Sequence, residues 1–459
     1  MPETGLLTLD AALSLTRQEV VGLHQKYLNS ALVNLMSLID FTKRFVKAEG
    51  FRVWDQAGQE YLDFLGGYGA LNLGHNHPKV LAALAKVQGT PNLLQASLNN
   101  LAGALAHNLA QITPGKLQRS FFCNSGAEAV EGALKLARIA TGKTKIISAE
   151  NSFHGKSFGA LSATGRFKYQ KPFGPLVPDF LYFPFGDLGA LEKLLQKKDV
   201  AAVILEPVQA EGGIIVPPPG FIDGARKLCN QYQALLILDE IQTGFGRTGA
   251  MFACEAEGVE PDIMCLSKSL GGGVMPIGVY IATDAVWQRG YGGVEKATLH
   301  SSTFGGNSLA CAAALAAIEA IYEERLADNA RVQGEYFLGK LRDLKQEFKL
   351  IKDVRGRGLL LGIEFEQPEG LLNNLTGGML SQVAAEYTGS MVAGKLMNDY
   401  RIITAYTLNN LNVIRLEPPL AITRKEIDYL LGALRAVLSE HKGFISLAVA
   451  TGKNLLKKK

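Results

Sequence analysis

The stretch ALLILDEIQTG, residues 234–244, joins a run of five apolar side chains to two carboxylates, Asp239 and Glu240. Short runs that are apolar throughout are typical of strands buried on both faces of a sheet. A carboxylate at the end of such a strand is costly unless a cation or several hydrogen-bond donors meet it. The stretch therefore predicts a buried strand whose carboxyl end lies at a polar site, although a helix cap or a structural ion pair would also explain the acids.

Runs of the same kind recur between residues 117 and 283 and alternate with helical patterns such as EAVEGALKLARIA (128–140) and GFIDGARKLCNQY (220–232). The runs are RSFFC (119–123), TKIISA (144–149), VAAVILE (200–206), DIMCLS (262–267) and IGVYIA (277–282). This alternation predicts an α/β fold in which a mostly parallel sheet is covered by helices on both faces.

The two ends of the chain differ in pattern from this core. The first ~50 residues have helical spacing, which indicates an N-terminal arm packed on something larger. Beyond about Glu324, charged amphipathic helices and the strand GLLLGIEF (358–365) predict a smaller α+β domain. We predict an arm with part of the small domain over 1–75, a large domain over 76–325 and a C-terminal small domain over 326–459.

Composition excludes several classes of protein. With 47% hydrophobic and 20% charged residues, the 459-residue chain is unlike a disordered or membrane protein, and a net charge of +4 gives no nucleic-acid footprint. No apolar run approaches the ~20 residues of a membrane-spanning helix. The five cysteines have no close pairs and are interpreted as buried thiols of a cytoplasmic protein. The histidines and cysteines lack metal-ligand spacing, so we expect no metal.

Three chemical groups follow the predicted strands at one edge of the sheet, where open α/β sheets bind ligands. After RSFFC, Ser125 and Gly126 begin a helix, whose free N–H groups favour an anion such as phosphate. Asp239 follows the strand predicted over residues 234–238. Lys268, before three glycines, follows a third strand, where partial desolvation would lower its pKa and allow a Schiff base. Taken singly, a capping serine or a surface lysine is the commoner explanation.

One ligand would use all three groups together. The aldehyde of pyridoxal phosphate takes a lysine, its ring nitrogen a carboxylate, and its phosphate a helix start. The sequence therefore predicts a pyridoxal phosphate enzyme.

The sequence also resembles the class III aminotransferases, of the ornithine and ω-amino acid type, over nearly its whole length. The matching stretches are FLGGYGALNLGH, NSGAEAVEGALKLAR, FHGKS, EPVQAEGG, LDEIQTGFGRTG, SKSLGGGVMPIG, STFGGN and VIRLEPPL. Within this family the segments GKLQRSFFCNSG and FACEAEGVEPDIMCLSKSLGGGVMPIG, with the N-terminal arm, most resemble putrescine aminotransferases. The resemblance implies fold type I of the pyridoxal phosphate enzymes.

The resemblance implies two catalytic residues. Lys268 would hold the cofactor as a Schiff base and move the substrate proton, and Asp239 would keep the cofactor ring nitrogen protonated. Gln242 would lie near the phenolic oxygen of the ring. The other cofactor-binding positions that it implies are Ser125, Gly126, Ala127, Phe153, His154 and Glu206, with Thr303 reaching the phosphate of the neighbouring subunit.

Three further residues match positions around the substrate. Arg415 would take the α-carboxylate of 2-oxoglutarate or glutamate, and Glu211 would pair with Arg415 when the substrate lacks that carboxylate. Tyr68 would lie near the same pocket. A permanent ion pair between Glu211 and Arg415 is the alternative.

These matches imply an aminotransferase that moves the terminal amine of putrescine or a similar diamine to 2-oxoglutarate by a ping-pong mechanism. Its partners would be small amines and 2-oxoacids, and the active unit a homodimer with interfacial sites that could pair into tetramers. The alternatives are an acetylornithine, ornithine or 4-aminobutyrate aminotransferase, a related aminomutase, epimerase or decarboxylase, and a binding protein that has lost catalysis.

Overall fold

The structure, a computed structural model, describes residues 5–38, 41–366 and 388–440, and helices occur in all three ranges. Within these ranges they are α1 (Leu9–Ser14), α2 (Arg17–Tyr27), α3 (Ser30–Leu38), α4 (Pro78–Val87), α5 (Asn100–Ile112), α6 (Gly126–Thr141), α7 (Phe158–Ala163), α8 (Phe167–Gln170), α9 (Leu188–Leu195), α10 (Phe221–Tyr232), α11 (Asp284–Tyr291), α12 (Ser308–Glu323), α13 (Leu326–Glu347), α14 (Thr388–Tyr400) and α15 (Arg424–Glu440). A short 3-10 turn, Lys268–Gly271, follows the strand Ile263–Leu266.

The strands of the same ranges form three sheets. They are β1 (Phe45–Glu49), β2 (Arg52–Asp55), β3 (Glu60–Asp63), β4 (Leu117–Cys123), β5 (Lys145–Ala149), β6 (Phe180–Phe183), β7 (Val200–Leu205), β8 (Leu235–Asp239), β9 (Ile263–Leu266), β10 (Gly278–Thr283), β11 (Ile351–Arg357), β12 (Leu360–Phe365), β13 (Ile402–Ile403), β14 (Ala405–Tyr406) and β15 (Val413–Leu416).

The large sheet has seven described strands in the order β4-β10-β9-β8-β7-β5-β6. The pairs from β9 to β6 are parallel, while β10 runs antiparallel to both of its neighbours. The predicted α/β class with a mostly parallel sheet is confirmed. The sequence runs predicted six of these strands, but β6 and the reversed direction of β10 were not foreseen.

Hydrophobic cores cover both faces of this sheet, as uninterrupted apolar strands require. Residues 202–205 of β7 alternate between them: Val203 and Leu205 belong to one core, Ala202 and Ile204 to the other. Since both faces are covered, the polar ends of the strands are the parts of this sheet left to face a ligand.

Two smaller sheets accompany the large one, and one of them joins strands from both ends of the chain. One has the order β11-β12-β15-β14, and its β11–β12 hairpin contains the segment RGRGLLLG (355–362) with Arg357 opposite Leu360. The other has the order β1-β2-β3-β13, so that the C-terminal β13 pairs in parallel with the N-terminal β3.

The N-terminal arm differs from its prediction. Helices occupy residues 9–38, but the expected helical pattern over the first ~50 residues is wrong at Phe45–Glu49, which pairs with β2 as a strand. Helices α1 and α2 have no buried residue, so within this chain they do not contribute to a core.

Other expectations from the sequence concern the whole chain. All five cysteines are free and buried. No helix among the described residues is both long and apolar enough to span a membrane, and no cluster of histidine, cysteine and acidic side chains in these ranges could bind a metal. Residues 1–4 and 441–459, at the outer ends of the first and third predicted domains, lie outside the described residues.

Candidate active site

Helix α6 begins directly beyond strand β4 and offers an anion-binding end. Ser125 is its N-cap, and the Ser125 hydroxyl oxygen accepts a hydrogen bond from the Glu128 N–H at 3.2 Å. Gly126 and Ala127 are the first helical residues, whose N–H groups have no acceptor within a helix. A Cβ at Gly126 would lie 2.8 Å from Ile241 Cδ1, so glycine allows the close approach of α6 to the loop after β8.

Asp239 ends strand β8 and is 4% exposed. One carboxylate oxygen pairs with His154 Nδ1 at 2.7 Å, and the other accepts the Ile241 N–H at 3.1 Å. Burial opposes protonation of His154, but the hydrogen bond to Asp239 and the nearby carboxylates outweigh it and raise the pKa of His154. The pair thus brings a carboxylate and a proton-holding imidazole to one buried spot.

Lys268 follows strand β9 and directs its amine toward the same spot. Its backbone has φ +43°, a left-handed conformation that is unusual for a residue with a side chain and is typical of functional positions. The amine donates a short hydrogen bond to Gln242 Oε1. Burial lowers the pKa of Lys268, and the charges of Glu417 and Glu211 only partly offset this effect. Lowering the pKa increases the fraction of neutral, nucleophilic amine.

These groups surround one cavity of about 340 Å³. Eight of the predicted site residues line it: Gly126, Ala127, Phe153, His154, Glu206, Asp239, Gln242 and Lys268. Burial raises the pKa of Glu206 to about 7, and a Glu206 carboxylate oxygen accepts the Phe153 N–H at 2.9 Å. Glu206 therefore fixes the backbone that carries Phe153 at the cavity wall.

Arg415, Glu211 and Tyr68 form a second cluster. Arg415 is fully buried at strand β15, and its Nη2 pairs closely with a Glu211 carboxylate oxygen, which also accepts the Leu408 N–H at 2.9 Å. The Arg415 guanidinium carbon lies 5.1 Å from the centre of the Tyr68 ring. Burial disfavours the charge of Glu211, but Arg415 outweighs burial and lowers the pKa of Glu211.

A left-handed turn places Tyr68 there. Residues 66–69 all have positive φ, between +54° and +81°, and three of them are glycines. A Cβ at Gly66 would lie 2.2 Å from the Glu417 carbonyl oxygen, so this position excludes any side chain. Tyr68 is the one residue of the turn whose side chain can reach the guanidinium.

Two of the predicted cofactor-binding residues do not line the cavity in this chain. Ser125 lies at its rim, as the cap of α6. Thr303 is exposed, its carbonyl accepts a hydrogen bond from the Gln95 side chain at 3.1 Å, and it lines a separate groove.

Sequence reasoning missed two charged residues of the site. Lys156 lines the cavity, with its ammonium 5.1 Å from the centre of the Tyr169 ring. Glu417 is fully buried between Gln242 and Arg415. Glu417 stands two residues after Arg415, which places both side chains on one face of an extended segment, and this spacing was the available signal. The remaining lining residues that were not predicted are Gly155, Val208, Ile241, Thr243 and Ser267.

The cavity fits pyridoxal phosphate by the chemistry of its walls. The helix start can take the phosphate, Asp239 can face a ring nitrogen, and Lys268 can reach an aldehyde. His154 Nε2 is buried and has no hydrogen-bond partner among the described residues. The volume lies within the roughly 300–1,000 Å³ of small-molecule sites.

Comparison with known proteins agrees with this chemistry. The family model described as aminotransferase class-III matches residues 40–438. The ornithine aminotransferase of Toxoplasma gondii ME49 is 34% identical, with a TM-score of 0.82 over 95% of this chain and 100% of that one. The acetylornithine aminotransferase of Elizabethkingia anophelis is 30% identical, with a TM-score of 0.76 over 93% and 100%.

An (S)-enantioselective omega-transaminase of Thermomicrobium roseum is also similar, at 30% identity and a TM-score of 0.82 over 93% of this chain and 99% of that one. The match of the family model spans most of the chain, and these structures are similar over their full lengths. The chain therefore belongs to the class III aminotransferases, a family that depends on pyridoxal phosphate.

Proposed function

We propose that this aminotransferase transfers the terminal amino group of putrescine or a similar diamine to 2-oxoglutarate, giving an ω-aminoaldehyde and glutamate. The observation that carries the proposal is the buried pair between Arg415 and Glu211, next to the cavity. While this pair is closed, the described residues of the pocket offer no unpaired guanidinium that would bind a carboxylate of the amine substrate. A donor without a carboxylate matches that arrangement.

The roles of the cavity residues follow from their chemistry. Pyridoxal phosphate, when bound, supplies the aldehyde and a ring that accepts electrons. Lys268 Nζ would take the proton from the amine-bearing carbon of the diamine, and in the acceptor half-reaction it would give a proton to the carbon that becomes the α-carbon of glutamate. Asp239, held by His154, orients a proton at the ring nitrogen, and Phe153 covers one side of the site. The N–H groups of Gly126 and Ala127, with the Ser125 hydroxyl, hold the phosphate.

The acceptor half-reaction requires the ion pair between Arg415 and Glu211 to open. When Glu211 moves away, Arg415 can bind the α-carboxylate of 2-oxoglutarate through two parallel hydrogen bonds. Lys156, on the cavity wall, supplies a second cation for the other carboxylate. Two cations for two carboxylates support a dicarboxylic acceptor over pyruvate.

An ornithine or acetylornithine donor is the second candidate. Its support is the likeness to the ornithine aminotransferase of T. gondii and the acetylornithine aminotransferase of E. anophelis. These donors also react at a terminal amine, and Lys156 could bind their carboxylate while Arg415 stays paired. Membership of an aminotransferase family supports amine transfer over the aminomutase, epimerase and decarboxylase alternatives.

A panel of donors tests the proposal. Putrescine, cadaverine, ornithine, N-acetylornithine and 4-aminobutyrate are each mixed with the holoenzyme, and the visible absorbance of the bound cofactor is followed. We expect putrescine or cadaverine to bleach this absorbance with the highest kcat/KM, and 2-oxoglutarate to restore it faster than pyruvate. A higher kcat/KM for ornithine or N-acetylornithine would replace the diamine with the second candidate. Bleaching without recovery would contradict amine transfer, and Lys268→Ala is the inactive control.

We further propose a homodimer in which Thr303 of each subunit reaches the phosphate site of the other. Thr303 is exposed, precedes the exposed Phe304 and lines one groove with the exposed Leu94, and a second subunit could cover these apolar side chains. Sedimentation of the holoenzyme tests the dimer, and a monomer with full activity would contradict it. We also propose that the domain boundaries lie near residues 75 and 325. The five buried thiols support a reducing, cytoplasmic location.

A further inference from the structure

Glu417 is a fully buried carboxylate that lies outside the roles described so far. It follows strand β15 directly, and its N–H donates to the Phe64 carbonyl at 2.8 Å. Two prolines, at 418 and 419, come next and restrict the backbone. Glu417 is therefore held firmly by the chain on both sides.

Two different carboxylates hold Arg415. Glu417 pairs with Arg415 Nη1 at 3.4 Å and stands on the same extended segment, two residues away, which fixes the two side chains to one face. Glu211 pairs with Nη2 but belongs to the loop after strand β7. The pair with Glu417 thus moves with Arg415, while the pair with Glu211 can open by a movement of the loop.

The third nitrogen of the Arg415 guanidinium, Nε, contacts neither carboxylate. Arg415 Nε is buried and has no hydrogen-bond partner among the described residues. Nε and Nη2 form one side of the planar guanidinium, which can donate two parallel hydrogen bonds to a carboxylate. Release of Glu211 would free this whole side, while Nη1 stays bound to Glu417.

The other face of Glu417 contacts Gln242. Gln242 Nε2 lies 2.9 and 3.0 Å from the two oxygens of Glu417. An ionised carboxylate only accepts hydrogen bonds, so it selects the NH₂ side of the Gln242 amide and turns Oε1 toward Lys268. A Cβ at Gly69 would lie 3.1 Å from Glu417 Oε2 and 3.3 Å from Gln242 Cγ, so the missing side chain of Gly69 leaves room for this contact.

We propose that Glu417 is a positioning residue that anchors Arg415 by Nη1, presents the Nε–Nη2 side to the substrate carboxylate, and aligns the Gln242 amide on Lys268. The proposal rests on the proposed role of Arg415 as the carboxylate-binding group. It links the substrate arginine to the catalytic lysine through the two contacts of one carboxylate.

Binding of glutarate, a dicarboxylate without a reactive carbonyl, tests the anchor. Calorimetric titration of the holoenzyme compares Glu417→Ala, Glu417→Gln and the wild type. Glu426→Gln is the control, since Glu426 is a buried carboxylate of α15, outside the site. We expect Glu417→Ala to weaken glutarate binding about tenfold or more, because the orientation of a charge-assisted contact is lost. Glu417→Gln should recover part of this loss, since its amide oxygen can accept from Nη1, and Glu426→Gln should bind as the wild type does. Binding by Glu417→Ala as tight as that of the wild type, or tighter, would overturn the anchor.

The pH dependence of the visible absorbance of the bound cofactor tests the link to Lys268. The charged groups that face Lys268 are Glu417 and Arg415 at β15, Glu211 after β7, and Asp239 at β8. A carboxylate stabilises a proton on the lysine nitrogen, so both Glu417 variants should move the pH midpoint of the absorbance down, and Glu426→Gln should not. An unchanged midpoint in both Glu417 variants would overturn the link. Neither measurement uses a diamine, so a failure of putrescine as substrate stays distinguishable from a failure of this proposal.

Discussion

Replacing Arg415 with methionine should destabilise the protein strongly. Arg415 and Glu417 are fully buried, and the Glu211 side chain is 11% exposed. Methionine fills much of the same space, so the main effect is the loss of the guanidinium between two carboxylates. Removing one partner of a buried ion pair costs about 3–5 kcal/mol, because it leaves an uncompensated buried charge. We expect the free energy of unfolding at pH 8 to fall by an amount in this range.

This loss should depend on pH with a definite sign. In the wild type, Arg415 lowers the pKa of Glu211 against the effect of burial, so this carboxylate stabilises the fold above its unfolded pKa, and the stabilisation is lost as the pH falls through the folded pKa. Without Arg415, only the charge of Lys268 and the Leu408 N–H would oppose burial, so the pKa of Glu211 in the folded state should rise. The variant then regains stability on acidification, as the carboxyl group takes up a proton. The difference in the free energy of unfolding between wild type and Arg415→Met should therefore be smaller at pH 5.5 than at pH 8.

Urea unfolding, followed by tryptophan fluorescence, measures this difference in the free energy of unfolding at each pH. The double variant Arg415→Met/Glu211→Gln should be more stable than the single variant at pH 8, because one of the two unpaired charges is removed. Arg435→Met is the matched control, since Arg435 pairs with Glu347 at 2.8 Å on the surface, where ion pairs contribute little. A loss at pH 8 no larger than that of this control, or a difference that does not change with pH, would refute the reasoning.

Three shorter predictions concern other positions. Lys268→Ala should abolish turnover, and borohydride reduction followed by mass spectrometry should then find no cofactor attached to the chain; attachment at another lysine would contradict the assignment. Lys156→Gln should raise the KM for 2-oxoglutarate about fivefold in the acceptor half-reaction and leave the amine half-reaction unchanged, with the exposed Lys171→Gln as control. Gly66→Ala should lower the thermal midpoint of unfolding more than Gly67→Ala does. Both variants should lose about 1–2 kcal/mol of stability, because alanine is strained in the left-handed backbone conformation. Only the Cβ at Gly66 would also meet a backbone oxygen, at 2.2 Å, whereas the Cβ at Gly67 would meet the Leu71 side chain at 3.3 Å. Equal midpoints would show that the contact with Glu417 can relax.

The large sheet could be predicted from sequence because its strands are buried on both faces and are therefore apolar throughout. The same uniformity hides direction, so the reversal of β10 was not foreseen. The strand Phe45–Glu49 was missed because four of its five residues are exposed, so its sequence lacks the alternation of apolar and polar residues that would mark the end of the helical pattern.

The candidate site was predictable where a residue follows a strand or belongs to a motif. Asp239 ends strand β8 and Lys268 follows the neighbouring strand β9, so the geometry of the sheet brings them close together. Glu417 also follows a strand, but its contact with Gln242 could not be predicted in this way, because the two residues are 175 positions apart in the chain and only the folded structure brings them together. Thr303 illustrates another limit, since a single chain does not bring it to the cavity.

The left-handed turn at residues 66–69 has a consequence for altering substrate range. Its three glycines are fixed by backbone conformation and, at Gly66 and Gly69, also by the closeness of Glu417, so a library that randomises them should yield mostly misfolded protein. Tyr68 already carries a side chain in this backbone conformation, so its ring can be replaced by another side chain without a change in the backbone. Position 68 is thus the natural place to reshape the entrance above Arg415 for bulkier amines.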